Sequence, residues 1–373
     1  MDIQNFIRFT IRDVLGKREK IGTNEEYIHA GIHWLRQASS VTGDGGVAAH
    51  YSLITGWEYS YIETTGYILV TFFSLARYFK EHIYYQEAIN MADFLLKNQM
   101  KCGAFPSGTP QSKNIVPRVF NTGEVIKGLV VAFQETKEKK YLRAAVKAAD
   151  WLCSCQSPDG AWNKYEYMDC AHAYHTRTSH SLLMVWKETK QKKYFISAEK
   201  NLTWVLNKQH ENGWFDSCNF LGASNPFTHA ISYAIEGFLE CYIITSNKQY
   251  WRAAELSATA LLTYYEKNGY MPATFDSEWK STDSYSCLTG DAQIILNWLD
   301  IYKKIHDKRY LKASKGLLAF LKSTVSLDMS DSRTFGAVPG AYPTYGGYNR
   351  WNFPNWATKF FIDACIQSAH LHE

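Results

Sequence analysis

Residues 141–162 read YLRAAVKAADWLCSCQSPDGAW, and the same frame returns along the chain. It recurs from Tyr85 (YQEAINMADFLLKNQMKCGAF), Tyr194 (YFISAEKNLTWVLNKQHENGWF), Tyr250 (YWRAAELSATALLTYYEKNGYM) and Tyr310 (YLKASKGLLAFLKS). A weaker copy starts at Tyr27 (YIHAGIHWLRQAS). Successive tyrosines stand 53 to 60 residues apart. A fixed period of that length is the signature of a repeat architecture. In the Tyr141 copy, Leu142, Ala145, Ala149, Leu152 and Cys153 fall mostly in steps of three and four, which predicts an amphipathic helix. The helix stops in the turn Gln156 to Gly160, where glycine follows the helical run.

Every copy is followed by a second, more apolar segment: YILVTFFSLARYF, VIKGLVVAF, SLLMVW, AISYAIEGFLECYII, AQIILNWLDIY and ATKFFIDACI. Apolar residues around most of the circumference mean burial on more than one side. Helices apolar on one face alternating with helices buried all round predict outer and inner layers. Six such pairs predict an all-α (α/α)6 toroid; an open solenoid is the competing architecture. The length of 373 residues by itself suggests two or three domains. The unbroken repeat overrides this, giving an extension helix in residues 1–23 and a single toroid over 24–373.

Composition narrows the partners. A net charge of +4, evenly spread and without a basic run, argues against nucleic acid. No segment reaches the ~18 apolar residues of a membrane span. Eight cysteines form no CxxC pair, and Cys153 and Cys155 have the wrong spacing for a zinc ribbon. The segment MDIQNFIRFTIRDVLGK lacks a basic n-region and a small-residue cleavage site. These features predict a cytoplasmic protein with reduced thiols, no metal and no cofactor. The aromatic content of 15% exceeds what a core alone asks for and suggests a lined cleft.

The long connections all run from an outer helix to an inner one, whereas the return links are as short as Lys137 to Lys140. They therefore share one face of the ring, and loops of this length are usually functional. Thr65, Thr122, Thr178, Thr228, Thr289 and Asn355 are expected near the N-caps of the inner helices. Convergent N-termini favour an anionic ligand. Glu63, His172, His175, His180, His229, Asp291, Tyr345, Tyr348 and Arg350 crowd these positions. Bland readings stand beside them. Glu124 and Asp291 each follow a threonine by two residues, where a carboxylate simply offsets the helix dipole. His180 suits a core histidine, and Glu58 and Asp216 suit either second carboxylates or plain surface.

The last loop, GAYPTYGGYNRW at 340–351, gathers Tyr342, Tyr345, Tyr348 and Trp351 around Arg350. Aromatics with a bidentate carboxylate binder predict a platform for an acidic sugar. The other reading is a structural closure of the ring's seam. Trp57, Trp162, Trp214, Asp216 and His172 are the remaining candidates for substrate contact.

Gln99-to-Phe105, Gln156-to-Trp162 and Gln209-to-Phe215 are similar to the QxxxGxW repeats of terpenoid cyclases and protein prenyltransferases. The acidic DxDD cluster of those cyclases is absent. Asp283, Cys287 and His229 could imitate the zinc ligands of prenyltransferase β chains, but their spacing is not diagnostic. ETTGYI, LTGDAQ and GAYPTYGGYNRWNFPNWATKFF resemble (α/α)6 carbohydrate-active proteins, among them polysaccharide lyases, uronyl hydrolases, sugar epimerases and glucuronyl C-5 epimerases, including a group associated with bacterial polysaccharide synthesis. The resemblance implies a toroid acting on an acidic glycan, with association to polysaccharide-assembly proteins compatible. Three chemistries fit: uronate epimerisation or elimination, placed slightly ahead; glycoside hydrolysis; and, third, a metal site, for which the His and Cys residues show no ligand-spaced motif. Proton abstraction beside a uronate carboxylate, as in an epimerase or lyase, would use Arg350 to hold the carboxylate. Tyr345, Tyr348, His175 and His229 would move the proton, with Glu63 orienting them. Glycoside hydrolysis would use Glu63 with Asp216 or Asp291. A non-catalytic glycan binder and an isoprenoid enzyme are the opposing classes.

Overall fold

The computed structural model describes residues 2–112, 115–220 and 225–371. Residues 113–114 and 221–224, in two of the long connections, lie outside that description. After α1 (Ile3–Val14), the outer helices are α2 (Asn24–Ser40), α4 (His82–Lys97), α6 (Lys139–Cys155), α8 (Lys192–Leu206), α10 (Lys248–Asn268) and α12 (Lys308–Lys322). They alternate with the inner helices α3 (Ile62–Phe79), α5 (Val119–Thr136), α7 (Thr176–Thr189), α9 (Thr228–Thr245), α11 (Leu288–Ile305) and α13 (Asn355–Ala369). Each inner helix packs on the next, and α13 returns to α3. The ring is closed: this is the (α/α)6 toroid that the alternating periodicities predict.

The repeated residues explain how the ring is stitched. Tyr141 and Tyr194 donate their hydroxyls to Asp93 and Asp150 at 2.9 and 2.7 Å. The tyrosine that opens an outer helix thus reaches back to the outer helix before it. The glutamine that closes the helix reaches forward. Gln156 Nε2 donates to Gly160 O and to Ser197 O on α8, both at 2.9 Å. Gln99 makes the same pair of bonds, to Gly103 O and to Ala144 O on α6. Gly160 holds φ +92°, and a Cβ there would stand 2.4 Å from Lys200 O, so only glycine fits the turn against α8. The glutamine-and-glycine turn is therefore a staple between repeats.

The five inner-to-outer links are two residues long, and each begins with a left-handed residue: Lys80, Lys137, Lys190, Ser246 and His306. Such short turns leave the opposite face to carry every long loop. The threonines expected as N-caps do something else. The cap positions are Tyr61, Arg118, His175, Phe227, Cys287 and Pro354, none with a side-chain capping bond. Thr65 and Thr122 lie one turn inside their helices, and their hydroxyls accept Val47 N–H (3.1 Å) and Phe105 N–H (2.9 Å). They pin the long loops over the ring, which leaves the helix ends free of side-chain caps.

The last loop seals the ring. Strand β1 (His50–Ser52) pairs with both β2 (Gly56–Trp57) and β5 (Asn352–Pro354), joining the first connection to the last. A second small sheet pairs β3 (Ser286–Cys287) with β4 (Ala341–Tyr342). Asn355 adds side-chain and backbone bonds to Ala48 O and Ala49 O at 2.8 and 2.9 Å. Helix α1 lies over this closure, with Phe6 against Trp351 and Phe9 against Phe353.

Candidate active site

The N-terminal turns of three inner helices and one long connection bring four ionisable groups together out of solvent. Glu63 comes from α3, Glu124 from α5 and Arg177 from α7; Glu166 descends from the connection before α7. All four side chains are buried. Two ionised carboxylates in such a place must be paired. Arg177 Nε donates to Glu124 Oε1 at 2.8 Å and Nη2 to Glu124 Oε2, a bidentate grip. Its Nη1 pairs with Glu236 on α9. Burial works against the guanidinium charge, but the two carboxylates outweigh it and hold its pKa well above the ordinary value.

Glu166 is satisfied differently. Its Oε2 accepts Phe120 N–H at 2.9 Å and its Oε1 accepts Tyr167 N–H at 3.0 Å. His175 Nε2 lies 3.1 Å from Oε2. His175 Nδ1 accepts the His172 backbone N–H at 3.4 Å, so the neutral ring carries its proton on Nε2 and donates it to Glu166. Burial raises the Glu166 carboxyl, yet His175 and the two amides overcome it and leave the pKa below the usual range. Glu166 is thus held as an anion, and Glu124 is locked in its ion pair with Arg177.

Glu63 is the exception. Burial, then the charges of Glu124 and Glu166, push its carboxyl up to about 8, with Arg177 and a hydrogen bond from Tyr61 offsetting only part of this. At neutral pH it holds a proton. One protonated and one ionised carboxyl sharing a site is how acid and base roles are separated.

Around them stand phenols and imidazoles. Tyr61 and Tyr167 approach hydroxyl to hydroxyl at 3.4 Å. Arg118, at the α5 cap, stacks over Tyr167 at 5.2 Å and donates Nη1 to the Glu166 carbonyl. Its buried Nε has no hydrogen-bond partner. His229 donates Nδ1–H to Gln293 Oε1 and packs against Tyr233 (4.4 Å) and Tyr348 (5.8 Å). Burial lowers the pKa of both His229 and His172 to about 4, so each is neutral. Burial also holds the phenols of Tyr61, Tyr67, Tyr174, Tyr233 and Tyr348 well above 10. Below Arg177 a cavity of about 370 Å³ runs between the inner helices, lined by Tyr67, Lys127, Glu236, Glu240, Lys359 and Asp363.

Of the residues singled out from sequence, Glu63, His172, His175, His229 and Tyr348 come together here. The others are placed elsewhere. Arg350 is exposed and its charge acts on Tyr285. Tyr345 is 37% exposed and packs on Trp351, which faces Phe6 of α1. Tyr342 lies under the Arg18 guanidinium. Trp57 packs on Trp34 and Tyr51, and Trp214 on Trp279. Trp162 is fully buried, donating to Leu152 O at 2.9 Å and backing His175 edge-on. Asp216 pairs with His210 at 3.0 Å on the surface, and His180 pairs with Glu240 at 2.9 Å, deeper in the ring. Asp291 is wholly buried, both oxygens are without a partner, and burial alone raises its carboxyl well above the ordinary value. Asp283 bonds Thr274 at 2.6 Å. Among the described residues no three His, Cys, Asp or Glu side chains converge as a metal would need. Arg177, Glu166 and Arg118 were not singled out. For Arg118 and Arg177 the available signal was a charged residue at the start of an inner helix; Glu166, inside the long connection before α7, carried none.

The chain belongs to the family of the beta-L-arabinofuranosidase GH127 catalytic domain, whose model matches residues 18–263. Curated proteins gave no match. Among solved structures, an unsaturated glucuronyl hydrolase specific for heparin superposes with a TM-score of 0.71 at 14% identity, covering 94% of this chain and 97% of that one. A D-mannose isomerase gives 0.72 at 13% identity (93% and 97%). A cellobiose 2-epimerase from Bacillus thermoamylovorans B4167 gives 0.71 at 11% (91% and 99%). At these identities the likeness establishes the fold. No helix among the described residues is long and apolar enough to cross a membrane.

Proposed function

We propose that the protein is a glycoside hydrolase acting on an acidic glycan, with Glu63 as proton donor and Glu124 as its ionised partner. The observation that carries this is the buried, protonated Glu63 beside two carboxylates kept ionised by Arg177 and His175. Glu63 would pass its proton to the glycosidic oxygen as the bond to the anomeric carbon breaks. The positive charge growing on the sugar ring would face the Glu124 and Glu166 anions. Water would then supply the hydroxyl to the anomeric carbon, its proton passing to Glu63 where Glu124 is the nucleophile and to Glu124 where Glu124 is the base. Whether Glu124 acts as nucleophile or as base follows from how far apart the carboxyls stand around a bound substrate. Arg118, with a free donor at the α5 cap, is the cation suited to a substrate carboxylate. The family model and the glucuronyl hydrolase neighbour support hydrolysis. Phenols raised by burial make poor bases, which disfavours tyrosine-driven epimerisation or elimination.

A second reading rests on His229. Its Nδ1–H is committed to Gln293, which leaves a neutral Nε2 able to accept a proton from a sugar carbon. The epimerase and isomerase neighbours fit it. The variants Glu63→Gln, Glu124→Gln and His229→Ala, assayed on uronide and arabinofuranoside glycosides, separate the two. Hydrolysis requires that Glu63→Gln lose turnover on natural linkages and recover it on an aryl glycoside whose leaving group needs no proton. Full activity in Glu63→Gln, with loss in His229→Ala, would reject hydrolysis in favour of the second reading.

A further inference from the structure

Helix α1 holds to the toroid by one face and turns an apolar stripe to solvent. The inward face carries Asn5, Phe9, Arg12 and Asp13, all buried. The outward face carries Ile3, Ile7, Ile11 and Val14, followed by Leu15, each between 50% and 66% exposed. Spacings of four, four and three place them in one line along the helix. A surface helix of a soluble domain ordinarily puts polar residues there. Ile54 extends the stripe at one end: it follows Leu53, whose carbonyl accepts the Asp2 N–H at 2.9 Å. Tyr345 lies beside it, on Trp351 against Phe6.

Along residues 3–20 the exposed charges have one sign, and the half-exposed Asp328 beside α1 is paired with Arg8 at 3.4 Å. Between residues 3 and 20 the exposed ionic side chains are Lys17, Arg18 and Lys20, all basic. The nearby acids are committed. Asp13 accepts from Arg12 at 2.8 Å and from the Thr344 amide and hydroxyl at 2.6 and 2.8 Å. Asp2 pairs with Arg333 at 3.2 Å, and Glu19 with Arg12 at 3.6 Å. An exposed apolar stripe bordered by exposed lysines is the pattern of a helix that lies in a lipid interface; Arg18 beside them stacks on Tyr342 at 3.5 Å. A twelve-residue helix is about 18 Å long, so its stripe falls short of the ~800 Å² per partner that a stable dimer buries.

We propose that α1 is an interfacial anchor that seats the protein on an anionic lipid surface, with Ile3, Ile7, Ile11, Val14 and Leu15 entering the headgroup boundary and Lys17 and Lys20 facing the phosphates. The anchor rests on the same closing loop that supplies Tyr348 to the site, so the loop face of the ring is carried near the membrane. The proposal is independent of the reaction assigned above.

The test is flotation of the full chain with vesicles of phosphatidylcholine alone and of equimolar phosphatidylcholine and phosphatidylserine. Binding is expected to the second and at least tenfold weaker to the first. The pair Ile7→Asp and Ile11→Asp, on the solvent side of the helix, should abolish binding while leaving the circular dichroism spectrum unchanged. Lys17→Gln with Lys20→Gln should weaken it several-fold and remove most of its salt dependence. Wild-type protein that ignores both vesicles would overturn the proposal. So would equal binding to both, or a concentration-dependent dimer that Ile7→Asp dissociates while no vesicle binds.

Discussion

Replacing Glu63 with glutamine should make the protein inactive and more stable, and the gain should grow with pH. The carboxyl has an ordinary value of 4.5 and is pushed up to about 8 in the fold. Below pH 4.5 it is neutral folded and unfolded, and its protonation costs nothing. As pH rises past 4.5 the unfolded chain ionises while the folded one cannot, so wild-type stability drops by about 1.36 kcal/mol per unit until the folded group titrates. This amounts to about 2 kcal/mol at pH 6, about 3 at pH 7 and a plateau of roughly 5 above the folded value. Glutamine keeps the shape and never ionises, so Glu63→Gln escapes the whole term. Urea unfolding of both proteins from pH 5 to pH 8 measures it directly. The difference in stability should widen by more than about 2 kcal/mol across that range, with unchanged denaturant slopes. A difference independent of pH, or one that shrinks as pH rises, would refute the reasoning and remove the proton from Glu63.

Asp291→Asn should likewise stabilise the protein increasingly above the ordinary aspartate range, because burial raises the Asp291 carboxyl and neither oxygen has a partner. Its kcat/KM should match wild type, since Asp291 lies outside the Glu63 cluster. Arg177→Met should destabilise by about 3–5 kcal/mol in urea unfolding at neutral pH, because Glu124 and Glu236 are left buried without a cation. Gln156→Ala should cost about 1–3 kcal/mol through the broken staple to Gly160 and Ser197, read by thermal unfolding, with activity retained. Arg118→Ala should raise KM for an acidic glycan by roughly tenfold or more without a matching effect on a neutral one, the size expected when a charge-assisted bond is lost. Arg350→Ala should change it by less than about twofold, as exposed charges contribute little.

The toroid was legible because its determinants are local and repeated. Tyr141, Gln156 and Gly160 each act on an adjacent outer helix, so the same residues had to return at the same places. That the long connections share one face, where the candidate site is proposed, followed from loop lengths alone. Glu63, His175 and His229 were visible because they stand at the starts of inner helices. Arg177 was not, since its meaning lies in Glu124, 53 residues upstream, and in Glu236 on the next inner helix. The last loop was readable in two ways, and its aromatics divided between them. Tyr348 turns inward to His229, whereas Tyr342, Tyr345 and Trp351 pack with Arg18, with one another and under α1. Nothing in GAYPTYGGYNRW announces that α1 covers it. Thr65 and Thr122 look like caps in sequence because a cap and a loop anchor both need a hydroxyl near a helix start, and only the loop path distinguishes them.

The central claim is that a protonated Glu63 cleaves a glycosidic bond. Incubation with uronate-containing glycans in heavy water, followed by mass and NMR analysis of the products, tests it most directly. Hydrolysis predicts shortened chains with a new reducing end, no unsaturation and no deuterium on carbon. Deuterium on a ring carbon at unchanged chain length, or an unsaturated end after shortening, would contradict it and move the proton chemistry to His229.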